Sequence, residues 1–141
     1  MRMLVKVCFG IYLLILSAKD IKDKEIPLSL LALGLVFAPL SVLVDEREVI
    51  YVYLLGVLPG IAFLLVSFIS RGQIGQADAF VLICVGLCNG IEAVIAVISV
   101  SLVAIALVSM VMLILGRLNR KSTLPYIPFV LLGYVLYLFV T

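Results

Sequence analysis

Apolar runs close to twenty residues long recur through this chain of 141 residues, separated by short charged or polar breaks. This recurrence constrains the fold more than any single motif does. An α-helix rises 1.5 Å per residue, so about 20 apolar residues match the roughly 30 Å hydrocarbon core of a bilayer. Inside that core the backbone finds no water, and a helix satisfies its polar groups internally. Composition agrees, with 66% hydrophobic and 13% charged residues, far from the balance of a soluble domain. The sequence predicts an all-α, polytopic membrane protein, a single integral-membrane domain over residues 1–141 embedded in the lipid bilayer.

Six apolar segments can be marked, at 3–18, 26–44, 49–70, 75–89, 91–115 and 124–140. The first has basic residues ahead of it, as a signal peptide does, but a charged loop follows instead of a small-residue cleavage site; it reads as a retained span. Pro27 suits the first turn of the second helix, where a missing N–H costs nothing. Pro59 is expected to kink the third, beside a small-residue face of Gly56 and Gly60. Gly86 and Gly90 form a second such pair. The fourth segment is short. Its fifteen residues make roughly 22 Å, so it must thin the bilayer or sit shielded among other helices.

The loops after the first, third and fifth spans hold Lys19, Lys22, Lys24, Arg71, Arg117, Arg120 and Lys121. The other side holds only Arg2, Lys6 and Arg47. The positive-inside rule therefore puts the first set in the cytoplasm and both termini outside. The net charge of +2 is too small to suggest a nucleic-acid partner.

Histidine is absent, which removes Ser-His-Asp and Cys-His nucleophile systems and every His-ligated metal site. Cys84 and Cys88 share a helix face but lack two further ligands, so they read as buried packing residues. No cofactor is expected. Carboxylates remain. Asp45, Glu46 and Glu48 are loop charges, Glu92 lies at a turn, and Asp23 and Glu25 fall among lysines. Asp20 and Asp78 stand apart. Asp20 closes the first span just past its apolar run, and Asp78 lies about one turn inside the fourth. A carboxylate at membrane depth costs about 2.5–3.5 kcal/mol even on lenient scales, so it is paired, neutral or turned to water.

By the topology above, the two aspartates lie at similar depth on the cytoplasmic side and can meet. Close carboxylates in a dry site cannot both ionise easily; one holds a proton and the pair titrates as a unit. Such a pair can activate water, one member taking its proton while the other donates to a scissile carbonyl oxygen. An ordinary reading stands beside this one: Asp20 as a loop acid, and Asp78 as an acid favoured at a helix N-terminus.

Three stretches resemble the type IV prepilin peptidases, membrane aspartic proteases of the GxGD class. DIKDKEIP (20–27) is similar to the family's Asp, five residues, then Ile-Pro-Asn; GQAD (75–78) is similar to Gly-x-Gly-Asp; PYIPFVLLGY (125–134) is similar to Pro-Phe-x-Pro-Phe-x-x-x-Gly. The resemblance implies a membrane endopeptidase. It would cut the basic leader from prepilin-like proteins at the cytoplasmic face, just before their hydrophobic helix, with Asp20 and Asp78 as the catalytic pair. It also implies a tight backbone turn at Gly75, and packing near the site shaped by Pro125, Pro128 and Gly133. Leu28 replaces the family's Asn, Ala77 its second Gly, and Phe80 a common Lys, which leaves Arg71 and Lys19 as candidates to balance charge near Asp78. The larger bacterial members add a region with Cys-x-x-Cys motifs and a methyltransferase activity; this chain shows no such motif, so peptidase activity alone is expected. Two alternatives differ in their predictions. A lipoprotein signal peptidase also uses two aspartates, with four spans and other motifs. A small transporter or secretion-assembly subunit places its carboxylates at mid-membrane.

Overall fold

The computed structural model describes residues 2–23, 27–44, 50–71, 76–117 and 126–140. All the described elements are helices: α1 (Arg2–Asp23), α2 (Leu28–Val44), α3 (Ile50–Ile69), α4 (Gln76–Asn89), α5 (Ile91–Ile114) and α6 (Ile127–Val140). They follow the six apolar segments closely. The chief difference is α1, which runs on through Lys19, Asp20 and Lys22 instead of ending at residue 18. Lys and Arg are good helix formers, and Lys22 lies in the last turn, where a cation meets the negative end of the helix dipole. Asp20 is thus a helical residue, not a loop residue. Lys24, Glu25, Ile26, the acidic group Asp45, Glu46 and Glu48 with Arg47, Gly75, Arg120, Lys121, Leu124 and Pro125 lie outside the described residues.

Two helices, α3 with 20 residues and α5 with 24, are long and apolar enough to cross a membrane. They span about 30 and 36 Å. Their outward faces are apolar and exposed, with Leu54, Leu58 and Leu65 on α3 and Leu102, Val103, Leu107 and Met110 on α5. A face like this has no favourable contact with water, and lipid is its natural solvent. The core lies at the other faces, where Phe9, Leu13, Leu16, Leu82, Val85, Val97, Ile127 and Tyr134 are fully buried.

At the centre is α4. Its 14 residues reach only about 21 Å, and it packs against α2, α3 and α5. Of the two outcomes open to a short segment, shielding is the one observed. The contact with α3 is made through glycine. A Cβ on Gly56 would sit 2.7 Å from the Gly86 carbonyl oxygen, closer than carbon and oxygen tolerate. Cys84 and Cys88 are buried in this core, as packing residues.

Between α4 and α5 there is one residue, Gly90, with φ +88°. The left-handed backbone there turns the chain without a loop. At the far end of α5, the Gly116 N–H donates to the Leu113 carbonyl at 3.1 Å and the Arg117 N–H to that of Met112 at 3.0 Å. These bonds, with Gly116 at φ +69°, make a Schellman stop. Two tyrosines tie the helices together. The Tyr12 hydroxyl donates to the Leu30 carbonyl at 2.6 Å, joining α1 to α2. That of Tyr134 lies 3.0 Å from the Lys6 carbonyl and 3.3 Å from Asn89 Oδ1, joining α6 to α1 and α4.

Candidate active site

The two aspartates come within electrostatic reach of each other, Asp20 near the end of α1 and Asp78 at the start of α4. Asp20 occupies the last turn and a half of α1, and it is buried. Its Oδ2 accepts the backbone N–H of Ile127, the first residue of α6, at 3.4 Å. The reason lies in how α6 begins. The first N–H groups of a helix have no partner within it. The N–H groups of Phe129 and Val130 turn back to the Tyr126 carbonyl, at 3.0 and 3.2 Å, and Pro128 has none. The Ile127 N–H is left over, and the Asp20 carboxylate takes it, at the positive end of the α6 dipole. Asp20 lies two residues beyond the first apolar run. Burial pushes its carboxyl up from the usual carboxylate range, and the Ile127 N–H opposes that by favouring the charged form.

Asp78 is the third residue of α4, in its first turn, and is half-buried. The charge of Asp20 acts on it across 58 positions of sequence. Ala77 and Phe80 flank it, packed on the edge of the core. Phe80 therefore brings an apolar ring where the family pattern has a Lys. Lys19 and Arg71 are both exposed, and the charge of Asp20 acts on Asp78. Among the described residues none hydrogen-bonds to Asp78, so the two carboxylates differ sharply in their surroundings.

Three further residues, none of them singled out from sequence as a site residue, complete the setting. The charge of Asp78 also reaches Tyr126, the residue just before α6. The Tyr126 hydroxyl is 2.8 Å from Ser101 Oγ on α5. The ring of Phe63, on α3, stacks on the Tyr126 ring with centroids 6.4 Å apart. The sequence carried a faint sign of this group: Ser101 is a polar residue within an apolar span, and Tyr126 stands between the two prolines of the third motif. The third motif is placed in part. Pro128 lies in the first turn of α6, and Gly133 packs close to Val97 of α5.

A model of the type IV leader peptidase family matches residues 7–141. The chain belongs to that family. No curated protein and no solved structure matches it. The leader peptidase match takes in Asp20, Asp78 and the whole start of α6. It also fits the two helices able to cross a membrane, and this leader peptidase relative is a membrane protein.

Proposed function

We propose that this protein is a membrane aspartic endopeptidase that removes the basic leader of prepilins or prepilin-like proteins. In this reading all six helices span the cytoplasmic membrane, with both termini outside and the Asp20–Asp78 pair at the cytoplasmic face. The substrate's hydrophobic helix lies in the bilayer against the bundle, which brings the leader junction to the pair. One aspartate takes a proton from water as the water oxygen bonds to the scissile carbonyl carbon. The other gives its proton to the carbonyl oxygen. The tetrahedral intermediate then breaks its C–N bond, and the proton gained from water passes to the leaving amine. The chemistry calls on no histidine and no nucleophilic side chain, and the chain has no histidine to offer.

The observation that carries this reading is that Asp20 and Asp78 come within electrostatic reach of each other, in a chain of the leader peptidase family. Asp20→Asn and Asp78→Asn, produced in membranes with a prepilin-like substrate, should each lose leader cleavage while still inserting at the normal level. Normal cleavage by both variants would sink the proposal. Substrate flux that depends on Asp78, with no proteolysis, would favour a transporter instead.

A further inference from the structure

Ser101 is a polar residue near the middle of an apolar helix, and it is fully buried. Its hydroxyl has two neighbours. The Ile98 carbonyl, on its own helix, takes the serine hydrogen at 3.0 Å. The Tyr126 hydroxyl lies 2.8 Å away. A serine has one hydroxyl hydrogen to give, so in the second bond Tyr126 donates and Ser101 Oγ accepts. The tyrosine ring is stacked on Phe63 of α3. Tyr126 is thus seated twice, by its tip on α5 and by its face on α3. That seat decides where α6 begins, because the Tyr126 carbonyl receives the Phe129 and Val130 N–H groups. The next residue is Ile127, whose N–H donates to Asp20 Oδ2 at 3.4 Å. A carboxylate turns readily about its last torsion, and a bond to one oxygen fixes its plane while leaving Oδ1 for the reaction. At 3.4 Å that bond is close to the long limit for an N–H donor, so an outward shift of a few tenths of an ångström at the start of α6 would break it.

We infer, on the peptidase reading of the pair, that Ser101 is a positioning residue of the site: by accepting the Tyr126 hydroxyl it seats the start of α6, and so holds the Ile127 N–H against Asp20. Among the described residues Ser101 hydrogen-bonds to neither aspartate, and it acts through this seat alone. The family pattern has Phe where this chain has Tyr126. A Phe stacks on Phe63 with no hydrogen to place, whereas a buried tyrosine needs an acceptor, and Ser101 supplies it. The two singles are therefore unequal. Ser101→Ala strands the tyrosine hydrogen in a dry seat, and the start of α6 must move to satisfy it. Tyr126→Phe leaves the serine bonded to Ile98 and the ring in place. Removing both hydroxyls leaves no stranded group, and such paired replacements are close to neutral.

In leader cleavage, Ser101→Ala should lower kcat about 10-fold to 100-fold, the range of a reacting group misplaced by up to an ångström, with KM unchanged. Tyr126→Phe should lose less, and Ser101→Ala/Tyr126→Phe should recover to the level of Tyr126→Phe. A double variant no faster than Ser101→Ala overturns the inference. Ser101→Cys, a weaker acceptor of similar size, should fall between wild type and Ser101→Ala, and it takes the place of the alanine variant if that one does not insert. The Ile127 amide reads the contact apart from turnover, by nuclear magnetic resonance of protein carrying isotope-labelled isoleucine. Its amide proton should shift between wild type and Asp20→Asn, because a carboxylate makes the stronger bond. In a Ser101→Ala background the same substitution should move it much less. Tyr134→Phe, which weakens the other end of α6, should leave the full shift, so a general loss of stability does not imitate the effect. An Asp20-dependent shift as large in Ser101→Ala as in wild type overturns the inference. Wild-type kcat in Ser101→Ala, with Asp20→Asn inactive, overturns it too and leaves the peptidase standing. Cleavage by Asp20→Asn removes the peptidase reading itself, and the role of Ser101 falls with it.

Discussion

Gly56→Ala tests whether the position of the site depends on the contact between α3 and α4. The added Cβ would lie 2.7 Å from the Gly86 carbonyl oxygen, 2.9 Å from the Gly90 carbonyl carbon and 3.0 Å from the Gly86 Cα. All three are backbone atoms, so no side chain can rotate aside. Unstrained contacts fall near 3.5 Å, so the helices must part by the better part of an ångström. Overpacking of this kind costs about 1–3 kcal/mol. The displacement acts on α4, which carries Asp78 eight residues, or about 12 Å, from Gly86. A misplacement near 1 Å at a reacting group can cost about 100-fold in rate. The variant should therefore insert, melt at a lower temperature in detergent, and cleave 10-fold to 100-fold more slowly, on the order set by such a shift. Gly10→Ala is the control. Its Cβ would meet the Tyr134 ring at 3.5 Å, an ordinary contact, and removing a mid-helix glycine should stabilise α1 by about 0.5–1 kcal/mol. If the two variants melt and cleave alike, the close approach of α3 and α4 does not set the site, and the reasoning fails.

Three shorter predictions follow from other places in the fold. Arg71 adopts φ +54°, a left-handed conformation that costs a residue with a Cβ about 1–2 kcal/mol, so Arg71→Gly should raise the melting temperature; an unchanged or lower value counts against strain at that turn. Tyr134→Phe removes the hydroxyl that donates to the Lys6 carbonyl at 3.0 Å, beside Asn89 Oδ1 at 3.3 Å, and should lower stability by about 1–3 kcal/mol while KM for the leader substrate stays constant. Asp20 has its folded pKa raised by burial, so its contribution to stability is fully present below about 4 and is lost as pH rises through the folded value. The wild type should lose thermal stability across that window relative to Asp20→Asn, and parallel pH curves for the two proteins would refute this.

The placement of the described helices was legible because each announces itself by its own apolar run, from the first at 3–18 to the last at 124–140. The short α4 and its glycines were legible for the same local reason. What could not be read was pairing. Gly56 and Gly86 each mark a close approach, yet nothing in the sequence says that they face each other. The end of α1 was misjudged because Lys19, Asp20 and Lys22 look like a loop by charge alone. Their helix continues where Asp20 meets α6, a contact 107 positions away. The two aspartates were legible because an acid beside an apolar run demands a reason. Their partners were not. A backbone N–H such as that of Ile127 leaves no trace in a sequence, and a tyrosine in an apolar span ordinarily reads as packing.

These two kinds of information meet in α4. A helix of full length would carry an acid in its first turn to the level of the lipid headgroups, where water screens it. A helix of about 21 Å, walled by α2, α3 and α5, ends sooner and keeps that acid within the bundle. The shortness of the helix and the burial of Asp78 are thus one feature. The glycine contact with α3 fixes α4 along its length, and Asp20, held against the start of α6, supplies the second carboxylate. Lengthening α4 by one turn at its N-terminus, while keeping Asp78 in the first turn, should move that acid about 5.4 Å toward water and uncouple it from Asp20. Leader cleavage should then be lost in a protein that still inserts. Retained cleavage would mean that the pair does not depend on the depth at which α4 begins.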